Sequence, residues 1–433
     1  MHAHRLRSPF ATALLLASVA ALADVGGALE VAKPEAVGFS AERLQRLDKA
    51  MQATIDNKQL AGAVTVLARH GKVVSFNTYG QQDVAGGKPM QKDSIFRIYS
   101  MTKPVTGVAM MILFEEGKWR ASDPIAKFLP EFKDVKVYAG QGADGQPILE
   151  APKHAPTMGE VMTHTAGLTY GFFGSGPVDK MYVQAKLFES ASLKEFSEKL
   201  AKLPLAYQPG EGWEYSVAVD VQGALIERIS GMPLAQFLED RLFKPLGMTD
   251  TAFFVPESKL SRLATIYTPG PNSTLAPMPR DPNVSKAPGM PSGGGGLYST
   301  ATDYLRFAQM LANEGALNGV RILAPSTVQL MRSNQLPDRL RTGKHGIGYY
   351  RMQPGLGFGY DVAVIEEPAK VGSTAGAGTY LWDGVAGTWF WVDPTNDVVF
   401  IGMIQRWMMA PGMPNMEDLS RALVYQALVE PQK

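Results

Sequence analysis

The chain has 433 residues, 45% of them apolar and 19% charged, which suits a large buried core and sits well away from disordered or fibrous compositions. A formal charge of +1 gives no electrostatic footprint for nucleic acid or for an acidic membrane surface, so a small neutral partner is expected instead. The absence of cysteine excludes disulfides, thiolate nucleophiles, Cys-ligated zinc and an N-terminal lipid-anchored Cys.

At the start of the chain, Arg5 and Arg7 precede an apolar run from Phe10 to Ala21, and Ala21-Leu22-Ala23 stands ahead of Asp24. This is the pattern of an export signal over residues 1–23 cleaved after Ala23, and it places the mature chain in a periplasm or outside the cell. The run is shorter than the ~20 residues of a spanning helix, and no later stretch is long and apolar enough, so no stable membrane anchor is expected.

Ser40 opens a helical pattern through Leu44, Leu47 and Met51. Ala61 to Tyr79 reads as a β-hairpin turning at His70-Gly71, with Val64, Val66 and Ala68 alternating before the turn. Val105 to Glu116 is a helical run that Gly117 ends. Ser192 and Glu195 have the spacing of a capping box before Leu193, Phe196 and Leu200, with Pro204 as the stop. Val221, Ala224 and Leu225 lead to Gly231, and Leu234, Phe237 and Leu238 to Pro245-Leu246-Gly247. Thr268 to Gly296 is dense in Pro and Gly and reads as a long irregular loop. Thr300 and Asp303 cap a helix carrying Tyr304, Phe307, Ala308 and Leu311 on one face. Tyr380 to Val392 and Val398 to Ile404 read as two strands of a second hairpin, joined through Asp393-Pro394-Thr395-Asn396. Strands at both ends with helices between them predict one mainly antiparallel sheet built from the two ends of the chain.

The chemistry concentrates at Ser100-Met101-Thr102-Lys103, just ahead of the helical run from Val105. Residues three apart on a helix share a face, so the Lys103 ammonium can reach the Ser100 hydroxyl. A helix N-terminus also offers free N–H groups and a positive dipole end to the oxyanion formed when a hydroxyl attacks a carbonyl. By itself the four-residue pattern is weak, since an ordinary exposed serine fits it too. Tyr215-Ser216 follows Gln208-Pro209-Gly210 and precedes a helix. A phenol beside a lysine ammonium has its anionic form stabilised and can take a proton from Ser100. Trp382-Asp383-Gly384-Val385-Ala386-Gly387-Thr388 reads as an edge-like strand rich in glycine, where a ligand can approach the backbone and the Val385 N–H can serve as an oxyanion donor.

At these residues the chain resembles the serine β-lactamase and penicillin-binding superfamily, and within it the class C β-lactamases and family VIII carboxylesterases. The resemblance runs from about Val37 to about Trp407. It is carried by Phe96 to Lys103, Thr163-His164-Thr165-Ala166-Gly167-Leu168, Tyr215-Ser216-Val217, Pro245 to Met248, Gly293 to Thr300 and Trp389 to Pro394. It implies an α/β, β-lactamase-like fold: an antiparallel sheet flanked by helices, formed by residues 24–117 and 300–433, with a mainly helical domain over 118–299 inserted. It also implies Ser100 as nucleophile, Lys103 and Tyr215 as its activators, and an oxyanion hole of the Ser100 and Val385 N–H groups. Two departures bear on substrate. Where the lactam- and peptide-cleaving members carry Lys-Thr-Gly, this chain has Trp382-Asp383-Gly384; losing that cation beside an acid disfavours anionic β-lactams and D-Ala-D-Ala ends. Val217 stands where many β-lactamases carry Asn, which removes an amide contact.

A Ser-His-Asp hydrolase lacks its Gly-x-Ser-x-Gly elbow here, and outside the leader only His70, His154, His164 and His345 remain. His70 and His164 read as structural. No grouped ligands suggest a metal, and Gly293 to Gly296 lacks the Lys-Ser or Lys-Thr of a phosphate loop, so it reads as flexible backbone beside the cleft; no cofactor is expected. The expectation is a carboxylesterase for short to medium acyl esters, acting through a covalent Ser100 acyl-enzyme, with Trp382, Asp383 and Gly384 at the substrate. The competing readings are a class C-like β-lactamase or D-Ala-D-Ala peptidase, and a non-catalytic penicillin-binding-like recognition protein. Whether Lys103 or Tyr215 is the base is open, because coupled groups titrate as a pair.

Overall fold

The structure is a computed structural model that describes residues 29–271, 274–341, 354–407 and 412–430; the expected export signal and His345 lie outside them. Two aliphatic runs meeting at His70-Gly71 form β1 (Gly62–Arg69) and β2 (Lys72–Asp83). Both turn residues are left-handed, with φ of 51° at His70 and 71° at Gly71, which matches the turn to the twist of the strands. Every position of β1 is buried, as in a strand covered on both faces.

The sheet has eight strands among the described residues, all paired antiparallel. Besides β1 and β2 it contains β3 (Lys88–Pro89), β4 (Leu356–Phe358), β5 (Ala363–Ile365), β6 (Thr379–Asp383), β7 (Trp389–Asp393) and β8 (Val398–Ile404), in the order β4-β5-β6-β7-β8-β1-β2-β3. Val66 stands opposite Ile401, so the two ends of the chain meet at the middle of one sheet.

Helices α1 (Ala41–Asp56), α2 (Thr102–Glu115), α3 (Pro177–Gln184), α4 (Leu193–Leu200), α5 (Ala218–Ser230), α6 (Ala301–Ala312) and α7 (Met416–Tyr425) complete the frame around the site. Adjacent residues of β7 point to opposite faces and find helices on both. The Trp389 indole donates to the Ser420 hydroxyl of α7 (3.1 Å), whereas Phe390 packs on Tyr304 of α6 (centroids 5.1 Å apart). α1 packs on α7 and β2, and α2 packs along α5. The side chains of Ser40, Ser192 and Thr300 accept the expected N–H groups at the starts of α1, α4 and α6. The Ser192–Glu195 box is half formed, because the Glu195 carboxylate takes the N–H of Ala191 (2.7 Å). No described helix is long and apolar enough to cross a membrane.

Two expectations are corrected. Tyr380 to Val392 is not one strand: Gly384 to Thr388 folds the chain back, dividing it into β6 and β7. Nor is β6 an edge, since it lies between β5 and β7. Aromatic and β-branched residues on both sides, Tyr380 to Trp382 and Trp389 to Val392, make the stretch read as one run, while Asp383-Gly384 and Gly387 mark the turn. In the Pro- and Gly-rich stretch, Tyr267–Pro269 and Leu275–Pro277 pair antiparallel, and the other described residues are irregular.

Candidate active site

The sequence just before α2 forms a 3-10 turn, Tyr99–Met101, that carries Ser100. Ser100 is thus outside the α-helix proper, yet spacing by three still stacks it over Lys103, because side chains at i and i+3 align in 3-10 geometry. Tyr99 has φ 44°, a left-handed backbone that costs a non-glycine residue about 1–3 kcal/mol and often marks a functional turn. Its ring is clamped between the Arg97 guanidinium, 4.5 Å from the ring centroid, and the Trp407 ring at 5.5 Å.

α2 is buried from Thr102 to Leu113, so Lys103 is withdrawn from water. Its Nζ lies 3.1 Å from the Ser100 Oγ, 2.9 Å from the Tyr170 hydroxyl and 2.5 Å from the Gly294 carbonyl oxygen. Three acceptors satisfy the three protons of an ammonium, and the serine can donate instead to the lone pair of the neutral amine. Burial pushes the lysine down to about 8, while Asp220, Asp361 and Asp383 pull the other way. Asp220 and Asp361 are themselves fully buried, and burial raises both carboxyls above their usual range. Asp220 accepts from the Ser292 hydroxyl (2.5 Å) and the Gly294 N–H (3.1 Å), fixing the carbonyl that holds Lys103. Asp361 accepts from the Gln222 amide (3.1 Å).

Tyr215 arrives from the segment ahead of α5, and its hydroxyl donates to the Ser100 Oγ at 2.6 Å. The Lys103 Nζ also lies 4.6 Å from the Tyr215 ring centroid. Serine hydroxyl, amine and phenol therefore meet at one point. His164 packs on the Tyr215 ring (5.2 Å) and accepts the Ser216 N–H on Nδ1 (3.2 Å); burial, and then Lys103, hold it neutral far below the ordinary imidazole range. It supports the tyrosine and does not reach the serine in this arrangement. His70 and His154 pair with Asp397 (2.8 Å) and Glu160 (2.7 Å).

Trp382, Asp383, Gly384 and Val385 line the same cleft of about 890 Å³ as Ser100 and Tyr215. The Trp382 ring lies 5.5 Å from that of Tyr215 and 5.5 Å from that of Phe358. The Gly384 N–H donates to the Thr388 carbonyl (2.7 Å), and the Thr388 hydroxyl to the carbonyl of Ile98 (3.2 Å), two residues before Ser100. A Cβ on Gly384 would lie 2.3 Å from the Ile98 oxygen, so glycine alone lets this turn bring Val385 beside the Ser100 turn. Val217 is fully buried at the head of α5 and is not part of the cleft wall. Among the described residues, the charged side chains of that wall are Asp383, Glu417, Asp418 and Arg421, and Arg421 pairs with Glu417 and with Asp418 (3.2 Å).

Sequence reasoning missed Tyr170 and the lysine-holding role of Gly294. Gly293 to Gly296 is tied backbone, not a loose border: Gly293 accepts from Thr106 (2.8 Å) and Gly294 from Lys103 (2.5 Å). Tyr170 follows Leu168 of the Thr163–Leu168 stretch, but its 67-residue separation from Lys103 gave no local signal. No group of three or more His, Asp or Glu suited to a metal occurs among the described residues.

The Beta-lactamase family model matches residues 47–424. Protein Rv1367c of Mycobacterium tuberculosis (strain ATCC 25618 / H37Rv) is 38% identical over 349 residues, covering 80% of this chain and 86% of its own. Esterase EstB of Burkholderia gladioli is 34% identical over 382 residues, covering 82% and 89%. Among solved structures, EstCE1, described as a hydrolase with promiscuous acyltransferase activity, superposes with a TM-score of 0.74 at 28% identity, over 89% of this chain and 99% of its own.

Proposed function

The chain belongs to the Beta-lactamase family and is a serine hydrolase, and from that premise we propose that it is a carboxylesterase cleaving short to medium acyl esters through an acyl-enzyme on Ser100. The observation that carries this reading is the contact of the Ser100 Oγ with both the Tyr215 hydroxyl (2.6 Å) and the Lys103 amine (3.1 Å) in a cleft without an unpaired cation on its described wall. The Lys103–Tyr215 pair accepts the serine proton as Oγ attacks the ester carbonyl. The negative charge collects on the carbonyl oxygen, facing the Ser100 and Val385 N–H groups. Collapse breaks the acyl carbon–oxygen bond, and the leaving alkoxide regains the proton from the same pair. Water then repeats the sequence on the acyl-enzyme and releases the acid.

Ester is favoured over lactam because the cleft meets its ligand with Trp382 and Asp383. A carboxylate-bearing β-lactam or D-Ala-D-Ala end would meet the Asp383 carboxylate in the stretch where the lactam- and peptide-cleaving members carry Lys-Thr-Gly. The purified mature chain, assayed with a p-nitrophenyl acyl ester, a chromogenic cephalosporin and a D-Ala-D-Ala peptide, should turn over the ester at least about a hundredfold faster in kcat/KM, the discrimination of a missing charged contact. Cephalosporin or peptide turnover rivalling the ester selects the lactamase or peptidase reading. Stoichiometric labelling by penicillin with no turnover of any substrate selects a recognition protein. The leader over residues 1–23 makes the enzyme periplasmic or secreted in the same proposal.

A further inference from the structure

Three phenylalanines stand exposed next to the reacting group. Phe172 is 56%, Phe173 39% and Phe188 43% accessible, an arrangement that leaves contiguous apolar surface in water. Phe172 packs on Phe173 (centroids 4.6 Å) and on Phe188 (5.9 Å), and all three surround the Tyr170 ring at 5.1, 5.3 and 6.2 Å. Phe173 lies nearly parallel to the Tyr215 ring at 6.3 Å and lines the cleft with Ser100. The platform is therefore continuous with the hydroxyl that touches the nucleophile.

Its position is built into the chain. Asp179, in the first turn of α3, accepts from the Thr169 hydroxyl (2.5 Å) and the Gly176 N–H (2.9 Å), closing the loop that carries Phe172 and Phe173. Gly171 is left-handed at φ 82°, and a Cβ on Gly174 would lie 2.0 Å from the Asp179 carboxylate. Phe188 rests on the buried Phe196 of α4 (6.3 Å). The rings are thus held outward in advance, and the cost of ordering them falls on folding, not on binding.

Which half of an ester they meet follows from the proton path. When the acyl carbon–oxygen bond breaks, the leaving oxygen must take its proton from the Lys103–Tyr215 pair, so that oxygen sits beside the Tyr215 hydroxyl. Its substituent then projects past Tyr215 onto Phe173, and beyond it onto Phe172 and Phe188. We propose that this aromatic platform seats the alcohol half of the substrate, so that the preferred esters are those of bulky hydrophobic or aromatic alcohols. This rests on the esterase reading.

The test compares the wild type with a Phe172→Ala/Phe188→Ala variant on 2-naphthylmethyl acetate, ethyl acetate and ethyl hexanoate, together with sedimentation on phosphatidylcholine vesicles. The wild type should favour the naphthylmethyl over the ethyl ester in kcat/KM, and the variant should lose about tenfold of that preference, as expected for removing aryl contacts. The hexanoate-to-acetate ratio should hold. An unchanged alcohol preference overturns the proposal, as does a change confined to the acyl ratio. Vesicle binding that the variant loses while the alcohol preference stays intact overturns it in favour of a lipid-docking surface. Wild-type protein that hydrolyses none of the three esters counts against the esterase reading itself.

Discussion

The Tyr215 hydroxyl donates to the Ser100 Oγ across 2.6 Å, although 115 positions separate the two in the chain. Lys103 touches the same oxygen at 3.1 Å, so the serine contacts two groups able to take its proton. Tyr215→Phe keeps the ring packing on His164 and Trp382 and removes only the hydroxyl. That variant and Lys103→Met should each lower kcat for a p-nitrophenyl ester about a hundred- to ten-thousandfold, with a small change in KM, the usual share of a general base. The two losses should not add in the double variant, because the pair acts as a unit. Steady-state kinetics on the four proteins checks this, and additive losses would separate the two groups.

The pH dependence follows from burial of Lys103, which lowers it to about 8. A group depressed in this way is cationic below that value and a free amine above it. With the free amine as acceptor, kcat/KM should rise through about pH 8 and then level off, and Lys103→Met should erase the rise. Activity that instead falls through pH 8 would assign the lysine to its cationic form, supporting a Tyr215 phenolate.

Gly384 sets the distance between the Val385 turn and the Ser100 turn. Because a Cβ there would meet the Ile98 oxygen at 2.3 Å and the Thr388 Oγ1 at 2.5 Å, Gly384→Ala must push the two turns apart. The expected result is a kcat about a hundredfold lower, the effect of misplacing one oxyanion donor, with KM changed far less. A kcat close to wild type would remove Val385 from the oxyanion hole.

The parts of this site legible in the sequence are those with local chemistry. Ser100 and Lys103 are three positions apart at a helix start, and the hairpin at His70-Gly71 has Val64, Val66 and Ala68 before the turn and Val73, Val74 and Phe76 after it. Tyr215 carries no local mark of its role and is reached through the Tyr215-Ser216 step after Gln208-Pro209-Gly210, which resembles the family pattern although Val217 departs from it. Tyr170 and Asp220 carry no local mark, since Tyr170 meets Lys103 from 67 positions away and Asp220 acts on it through the Gly294 peptide. The Gly384 to Thr388 turn does carry a signal, Asp383-Gly384 with Gly387, but the same glycines fit a strand that a ligand approaches closely, so the flanking aromatics read as one element. The three-residue strands β4 and β5 are too short for any periodicity to register.

The leader is tested independently of the chemistry. Expression of the full chain in a bacterium with a general secretion system should yield periplasmic or secreted protein whose first residue is Asp24. Protein retained in the cytoplasm with residues 1–23 intact would contradict export.

The most direct test of the mechanism is mass spectrometry of the protein quenched during turnover of a slowly deacylated p-nitrophenyl ester. The peptide containing Ser100 should carry the mass of one acyl group, and Ser100→Ala should carry none and hydrolyse no ester while melting like the wild type. An acyl group found on a different residue, or turnover retained by Ser100→Ala, would contradict the account.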